Sequence, residues 1–326
     1  MDRRTFVGAF AGGLIVAPSL AEAQFGSREV YRVGFLLGAT ADSTASLFNS
    51  LNDGLRDLGY IEGGNLILER RYGNGNMERL PDLAAELVRA RVEVIVTGTN
   101  IHVAAVRSVT TTVPTVMVFT ADPVGAGFVA NLARPGGNVT GLSADASPEL
   151  WAKYLGLLKE VVPKLSRVGA YGQVSSKVGF RELEIASRKL GLELEVVDLR
   201  SPDEFDSSFT AMIRKRVDAA VIIVGPLTYL LRRQIGEAAL KYRLPAITTL
   251  GEYAQAGLLM SYGPNLQDLY RRAANYVDKI LRGAKPADLP VEQPSRFELI
   301  INAQTAKAIG TKIPGSLQLL AADLIV

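Results

Sequence analysis

Three short signatures occur twice in this chain, in the same order and at nearly the same spacing. Leu58-Gly59 recurs as Leu190-Gly191, Arg91-Val92-Glu93 as Arg216-Val217-Asp218, and Val113-Pro114 as Leu244-Pro245. Each falls between an amphipathic helical pattern and a short apolar run. Such self-similarity marks two copies of one supersecondary unit, here β-α-β-α-β-α-β. Alternating strands and helices build a parallel sheet covered on both faces. The expected fold class is α/β, with two doubly wound, Rossmann-like parallel-sheet lobes facing each other across a cleft.

The clearest strands are Val92–Val96 and Val113–Phe119, apolar almost throughout. Runs of that kind suit strands buried on both faces of a parallel sheet. They stop at Thr97-Gly98-Thr99 and at Thr120-Ala121-Asp122-Pro123. Ligands of open α/β sheets sit beyond the carboxyl ends of the strands, so these loops are the first candidates for a site. Tyr31–Leu37, Leu66–Tyr72 and Asn138–Leu142 complete the first set of strands. Arg167–Tyr171, Glu193–Leu199, Val217–Val224 and Leu244–Thr248 form the second. Asp42, Ser43 or Thr44 is expected to cap the first helix. Ser201-Pro202-Asp203-Glu204 reads as a capping box.

Strands at Gly257–Tyr262 and Phe297–Ile301 and a helix at Leu266–Leu281 remain. If the strand at Gly257 returns to the first lobe and that at Phe297 to the second, lobe 1 comprises residues 29–145 and about 257–284. Lobe 2 then comprises 146–256 and about 296–326. The chain crosses near 143–148, 254–257 and 284–296, and several connections favour hinge closure.

The N-terminus reads as an export signal over residues 1–23. Arg3-Arg4 precede a weakly apolar run from Val7 to Leu20, then Ala21-Glu22-Ala23. Positive start, apolar middle and small-x-small end are the order of a signal peptide. Paired arginines followed by Thr5-Phe6-Val7 suit twin-arginine export, with an ordinary Sec signal as the alternative. The expected location is the periplasm.

Composition removes several chemistries. With no cysteine among 326 residues there is no disulfide, thiolate metal site or cysteine nucleophile. A formal charge of +3 and scattered basic pairs give no nucleic-acid surface. The single histidine, His102, is expected at the cleft edge or on the surface, and one histidine without carboxylates at ligand spacing builds no metal site. Gly125-Ala126-Gly127-Phe128-Val129-Ala130 matches a dinucleotide fingerprint, with Asp145 downstream. It does not open a first strand-to-helix turn, however, so no cofactor is expected. No G-x-S-x-G elbow accompanies His102. The chain is not expected to be an enzyme, although an acid–base pair from Asp122 and Glu252 is a conceivable alternative.

Binding of an amino acid is the more productive expectation. A carboxylate suits helix N-termini with hydroxyls nearby, which nominates Thr40, Ser43, Thr44, Thr97, Gly98, Thr99 and Thr120 on the first lobe, and Gly225 and Pro226 on the second. A buried ammonium requires a carboxylate partner, which nominates Asp42, Asp122 and Glu252. Aromatic walls are expected from Tyr171 and Tyr262, with Tyr229 and Tyr253 as further candidates.

LGYIEGGN at 58–65, TGT at 97–99, DPVGAG at 122–127, RPGGNVTG at 134–141 and EQPSRFELIINAQTAKAIG at 292–310 together carry a resemblance. The mature chain resembles the ABC-transporter substrate-binding proteins of the tryptophan/tyrosine-binding type. That resemblance implies a type I periplasmic-binding-protein architecture with a hinge, and a small molecule clamped between the lobes. It also implies delivery to an ABC permease and its ATPase in the inner membrane by a monomeric carrier. A ligand-sensing subunit for a membrane receptor or kinase would use the same fold.

Overall fold

The computed structural model describes residues 30–144, 147–174 and 177–326; the export-signal reading and Asp145 lie outside them. The strands are β1 (Tyr31–Leu37), β2 (Leu66–Tyr72), β3 (Val94–Thr97), β4 (Thr115–Ala121), β5 (Val139–Ala144), β6 (Arg167–Gly172), β7 (Glu193–Asp198), β8 (Ala219–Ile222), β9 (Ala246–Thr248), β10 (Met260–Gly263), β11 (Glu298–Asn302) and β12 (Asp323–Ile325). The helices are α1 (Ala45–Asp57), α2 (Leu80–Arg89), α3 (Asn100–Val109), α4 (Pro148–Val161), α5 (Lys177–Lys189), α6 (Phe205–Arg214), α7 (Pro226–Leu230), α8 (Arg232–Lys241), α9 (Gly251–Gln255), α10 (Leu266–Leu281), α11 (Ala303–Ile309) and α12 (Gly315–Leu320).

The first sheet has the order β2-β1-β3-β4-β5, all parallel. The second, read from its opposite edge, runs β7-β6-β8-β9-β10, then antiparallel β11 and finally β12. The five-strand order is thus used twice.

The repeated signatures have a physical basis. Gly59 and Gly191 adopt positive φ (90° and 66°) where helices stop, and Arg91 and Arg216 do so (57° and 55°) just before β3 and β8. The acid two residues later holds the neighbouring strand. Glu93 accepts the Arg32 amide at 2.5 Å, and Asp218 accepts the Arg167 amide at 2.8 Å. The expected capping box at Ser201 is absent: Ser201 accepts no capping bond, and Pro202–Glu204 tighten into a 3-10 turn before α6.

The strand beginning near Gly257 does not return to the first lobe. It becomes β10, the fifth strand of the second copy, paired with β9 and β11. The helix after it does cross. The buried face of α10 (Leu266, Leu269, Tyr270, Ala273, Ala274, Val277, Ile280) has helical spacing and packs on α1. There Gly54 fits against the Arg271 carbonyl, and the Tyr60 hydroxyl donates to Asp278 at 3.0 Å. Likewise α4, which follows β5, packs with α5 in the second lobe. Each fifth strand is therefore followed by a helix of the opposite lobe, and the second crossing falls at residues 264–265 rather than 254–257. The third follows Glu292, whose amide donates to the Gly141 carbonyl at 3.0 Å beside β5.

Three connections and an apolar core that runs from Phe35 and Tyr270 to Leu227 and Leu231 hold the lobes together. Among the described residues no helix is long and apolar enough to cross a membrane.

Candidate ligand-binding site

The carboxyl ends of both sheets enclose two adjoining chambers. The inner one, about 50 Å³, is walled by Leu37, Gly38, Thr44, Gly98, Thr99 and His102 of the first lobe and by Val224, Gly225, Pro226, Tyr229 and Leu250 of the second. Leu266 and Tyr270 close it. The outer chamber, about 520 Å³, is bordered by Thr99, Asn100, Ile101 and Asp122 on one side. Trp151, Gln173, Lys177, Arg181 and Thr249 border the other. Thr99, Phe119, Val224 and Pro226 belong to both. The inner chamber is mainly apolar and holds no carboxylate, lysine or arginine; the charged side chains lie around the outer one.

Phe119 owes its position to a β-bulge. The β4–β5 register shifts between Val118 and Thr120, and Phe119 has φ of 64°. A bulge re-aims one side chain at the cost of local backbone strain. Here it places the ring at the junction of the chambers. Asp122, with φ of 40°, accepts the Gly125 amide at 2.9 Å. A Cβ at position 125 would stand 2.1 Å from the Asp122 carboxylate, so the loop requires glycine there.

The first-lobe wall is tied together by buried polar contacts. Thr97 donates to the Leu36 carbonyl at 2.8 Å, and Thr120 to the Gly98 carbonyl at 3.0 Å. Asn100 clamps both backbone groups of Ala121, at 2.7 and 2.9 Å. His102 Nε2 accepts the Gly38 amide at 2.8 Å, which leaves the ring proton on Nδ1, 3.1 Å from the Thr99 hydroxyl. Burial lowers its pKa to about 4, against a smaller opposing effect of its bond to Thr99. His102 is thus a neutral, buried part of the wall rather than a surface residue. At the start of α3 the amides of Asn100 and Ile101 precede the first intrahelical bond, His102 N–H to the Thr99 carbonyl.

Of the residues nominated from sequence, Thr44, Gly98, Thr99, Gly225 and Pro226 line the inner chamber, and Thr99, Asp122 and Pro226 the outer. Thr97 and Thr120 spend their hydroxyls on the strand ends. Thr40 and Ser43 bond each other reciprocally, at 3.1 and 3.2 Å, and Asp42 is exposed on the same turn. None of these three borders a chamber, and none of Asp42, Ser43 and Thr44 caps α1 through its side chain.

Tyr171 is buried on the α6 side of the second sheet. Its hydroxyl lies 2.8 Å from Ser208, its ring packs on Phe209, and burial pushes its pKa up to about 12. Glu252 stands beside Tyr229 and Arg232, behind the wall, where burial raises its pKa. Tyr262 stacks on Phe297 at 5.7 Å, and Tyr253 donates to Thr228 at 3.1 Å; neither ring borders a chamber.

Sequence reasoning missed Phe119, Gln173, Lys177, Arg181, Trp151 and Tyr270. Position could have found one of them: Gln173 directly follows the end of β6, as Gly98 follows β3, and there it accepts the Leu227 amide at 3.0 Å.

The model of the family described as ABC transporter substrate binding protein matches residues 34–325. A tyrosine-binding protein of Clostridioides difficile is 26% identical over 274 residues, covering 83% of this chain and 76% of the relative. A domain from Streptococcus pneumonia solved in complex with L-Trp shares 26% identity at a TM-score of 0.84, covering 91% of this chain and all of that one. A conserved domain protein of Vibrio cholerae shares 25% identity at a TM-score of 0.85, with the same coverage. The two-lobed fold is that of type I periplasmic binding proteins, and the chain belongs to the ABC transporter substrate-binding protein family.

Proposed function

We propose that this protein is the periplasmic receptor of an ABC importer, and that it clamps an α-amino acid with an apolar or aromatic side chain between its lobes. The observation that carries this reading is the division of the cleft. Phe119, Leu37, Leu266 and Tyr270 offer an apolar end, and the outer chamber offers both signs of charge.

In this reading the α-carboxylate lies at the α3 N-terminus, where unbonded amides and the helix dipole favour an anion. Lys177 and Arg181 add positive charge from across the cleft. The ammonium pairs with Asp122, since a cation taken out of water needs a counter-charge. The side chain reaches Phe119 and the inner chamber. L-Trp in the Streptococcus complex and the name of the Clostridioides relative favour an aromatic side chain. A ligand touching both lobes binds the closed form better and shifts the population towards it. Closed protein then delivers the ligand to a permease and ATPase. Export by the N-terminal arginine-containing segment, and no catalytic turnover, belong to the same proposal.

The test is a thermal-shift screen of protein stripped of carried ligand by unfolding and refolding. The panel holds amino acids, aromatic acids, nucleobases and sugars. Saturation at a hundredfold excess over Kd adds about 2.7 kcal/mol. A hit among apolar or aromatic amino acids supports the reading, and a hit confined to sugars or nucleobases overturns its ligand class.

A further inference from the structure

Outside the chamber lining, Arg232 of the second lobe reaches the first. One guanidinium nitrogen donates to the Ser43 carbonyl at 3.1 Å; another donates to the Tyr229 carbonyl at 2.8 Å. The same guanidinium lies over the Tyr229 ring, 4.5 Å from its centroid. Tyr229 is an inner-chamber wall residue, and Ser43 precedes another, Thr44. Ser43 is itself fixed, because its amide and hydroxyl are both engaged with Thr40.

We infer that Arg232 is a positioning residue for ligand binding: it fastens the second-lobe wall at Tyr229 to the first-lobe turn at Ser43 when the lobes are closed. Its contacts divide by conformation. The bond to Tyr229 and the stacking lie within one lobe and survive opening. The bond to Ser43 spans the cleft and exists only when the lobes meet. A hydrogen bond from a charged donor in a partly buried site is among the stronger single interactions available to a side chain. One that forms only in the closed state lengthens the life of that state without touching the ligand. Leu230 and Pro202 of the second lobe also approach the first-lobe turn at Gly75, where an added Cβ would stand 3.1 Å from each. Glu252 of α9 lies near Arg232, and burial raises its pKa against the smaller opposing effect of the guanidinium.

This inference rests on the receptor reading only for its consequence in affinity; the latch itself is testable without ligand. The chain has no cysteine, so cysteines introduced at the exposed positions Asn49 and Gln234, one on each lobe, take spin labels cleanly. Interlobe distances would be measured in the parent chain, Arg232→Gln and Arg232→Lys. Dissociation of L-tryptophan and L-tyrosine would be followed in the same variants. Arg232→Gln is expected to move the distance distribution towards the open form and to speed dissociation about tenfold at an unchanged association rate. Arg232→Lys should restore part of both. An unchanged distribution together with unchanged dissociation overturns the latch. If neither amino acid binds, the receptor reading loses its ligand, and the distance distribution alone decides the latch. A merely structural role would lower the melting temperature of Arg232→Gln while leaving the distances of the folded fraction as they are.

Discussion

Gly38 and His102 are joined across the first lobe by a buried hydrogen bond of 2.8 Å, from the Gly38 amide to Nε2. It ties the loop after β1 to the helix after β3, the two segments that carry most of the first-lobe wall. Because the acceptor nitrogen must stay unprotonated, the bond makes the wall sensitive to acid.

The sign of that sensitivity follows from the histidine's depressed pKa. The unfolded chain protonates near 6.5 and the folded one near 4. Stability from the neutral ring is complete above pH 6.5 and is lost as pH falls towards 4, amounting to about 3 kcal/mol. Urea midpoints measured from pH 7.5 to 4 should fall over that window. In His102→Gln the fall should be much shallower. An equal fall in both would assign the acid lability to other groups.

Phe119 is held in left-handed backbone by the bulge and borders both chambers. Phe119→Ala should weaken ligand binding at least tenfold, about 1.4 kcal/mol, as measured by calorimetry. Phe119→Gly relieves the backbone and should unfold at a higher temperature than Phe119→Ala, yet bind no better. Full affinity in either variant would remove the ring from the site.

Gly125→Ala places a methyl group against the Asp122 carboxylate. The loop must move, and binding of an α-amino acid should weaken by about tenfold with only a small change in melting temperature, since the loop is exposed. Asp122→Asn, which leaves the glycine in place, should lose as much affinity. If Asp122→Asn binds normally, the ammonium is paired elsewhere.

Trp151 is the only tryptophan in the chain and borders the outer chamber. Its emission should change in wavelength or yield when a non-fluorescent amino acid such as leucine or phenylalanine occupies the cleft. A titration that leaves the emission untouched while calorimetry reports binding would place the ligand away from α4.

The two lobes were legible because the same local physics is written twice. A left-handed residue before a strand and an acid that holds the next strand leave recognisable pairs at Arg91/Glu93 and Arg216/Asp218. The crossing that brings α10 to the first lobe was legible, but not its place, which follows β10 rather than precedes it. The turn at residues 264–265 resembles any strand-to-helix connection, and only pairing with β9 shows where β10 belongs. In the site, the small residues at strand ends were legible by place, since position alone brings Gly98, Thr99, Gly225 and Pro226 to the cleft. Side-chain commitments were not legible. Thr97 and Thr120 use their hydroxyls on backbone carbonyls, Tyr171 packs against Ser208 and Phe209 of α6, and Glu252 stands behind the wall. The bulge at Phe119 depends on strand register, which one β-branched run cannot reveal.

In the proposed receptor the cleft reads the two charged groups of an amino acid separately from its side chain. The most direct measurement is calorimetric titration of stripped protein with L-tryptophan, with its analogue lacking the amino group (indole-3-propionate) and with its analogue lacking the carboxylate (tryptamine). L-tryptophan should bind, and each truncation should weaken binding at least tenfold, the first through Asp122 and the second through the start of α3. Equal affinity for indole-3-propionate and L-tryptophan would contradict this reading.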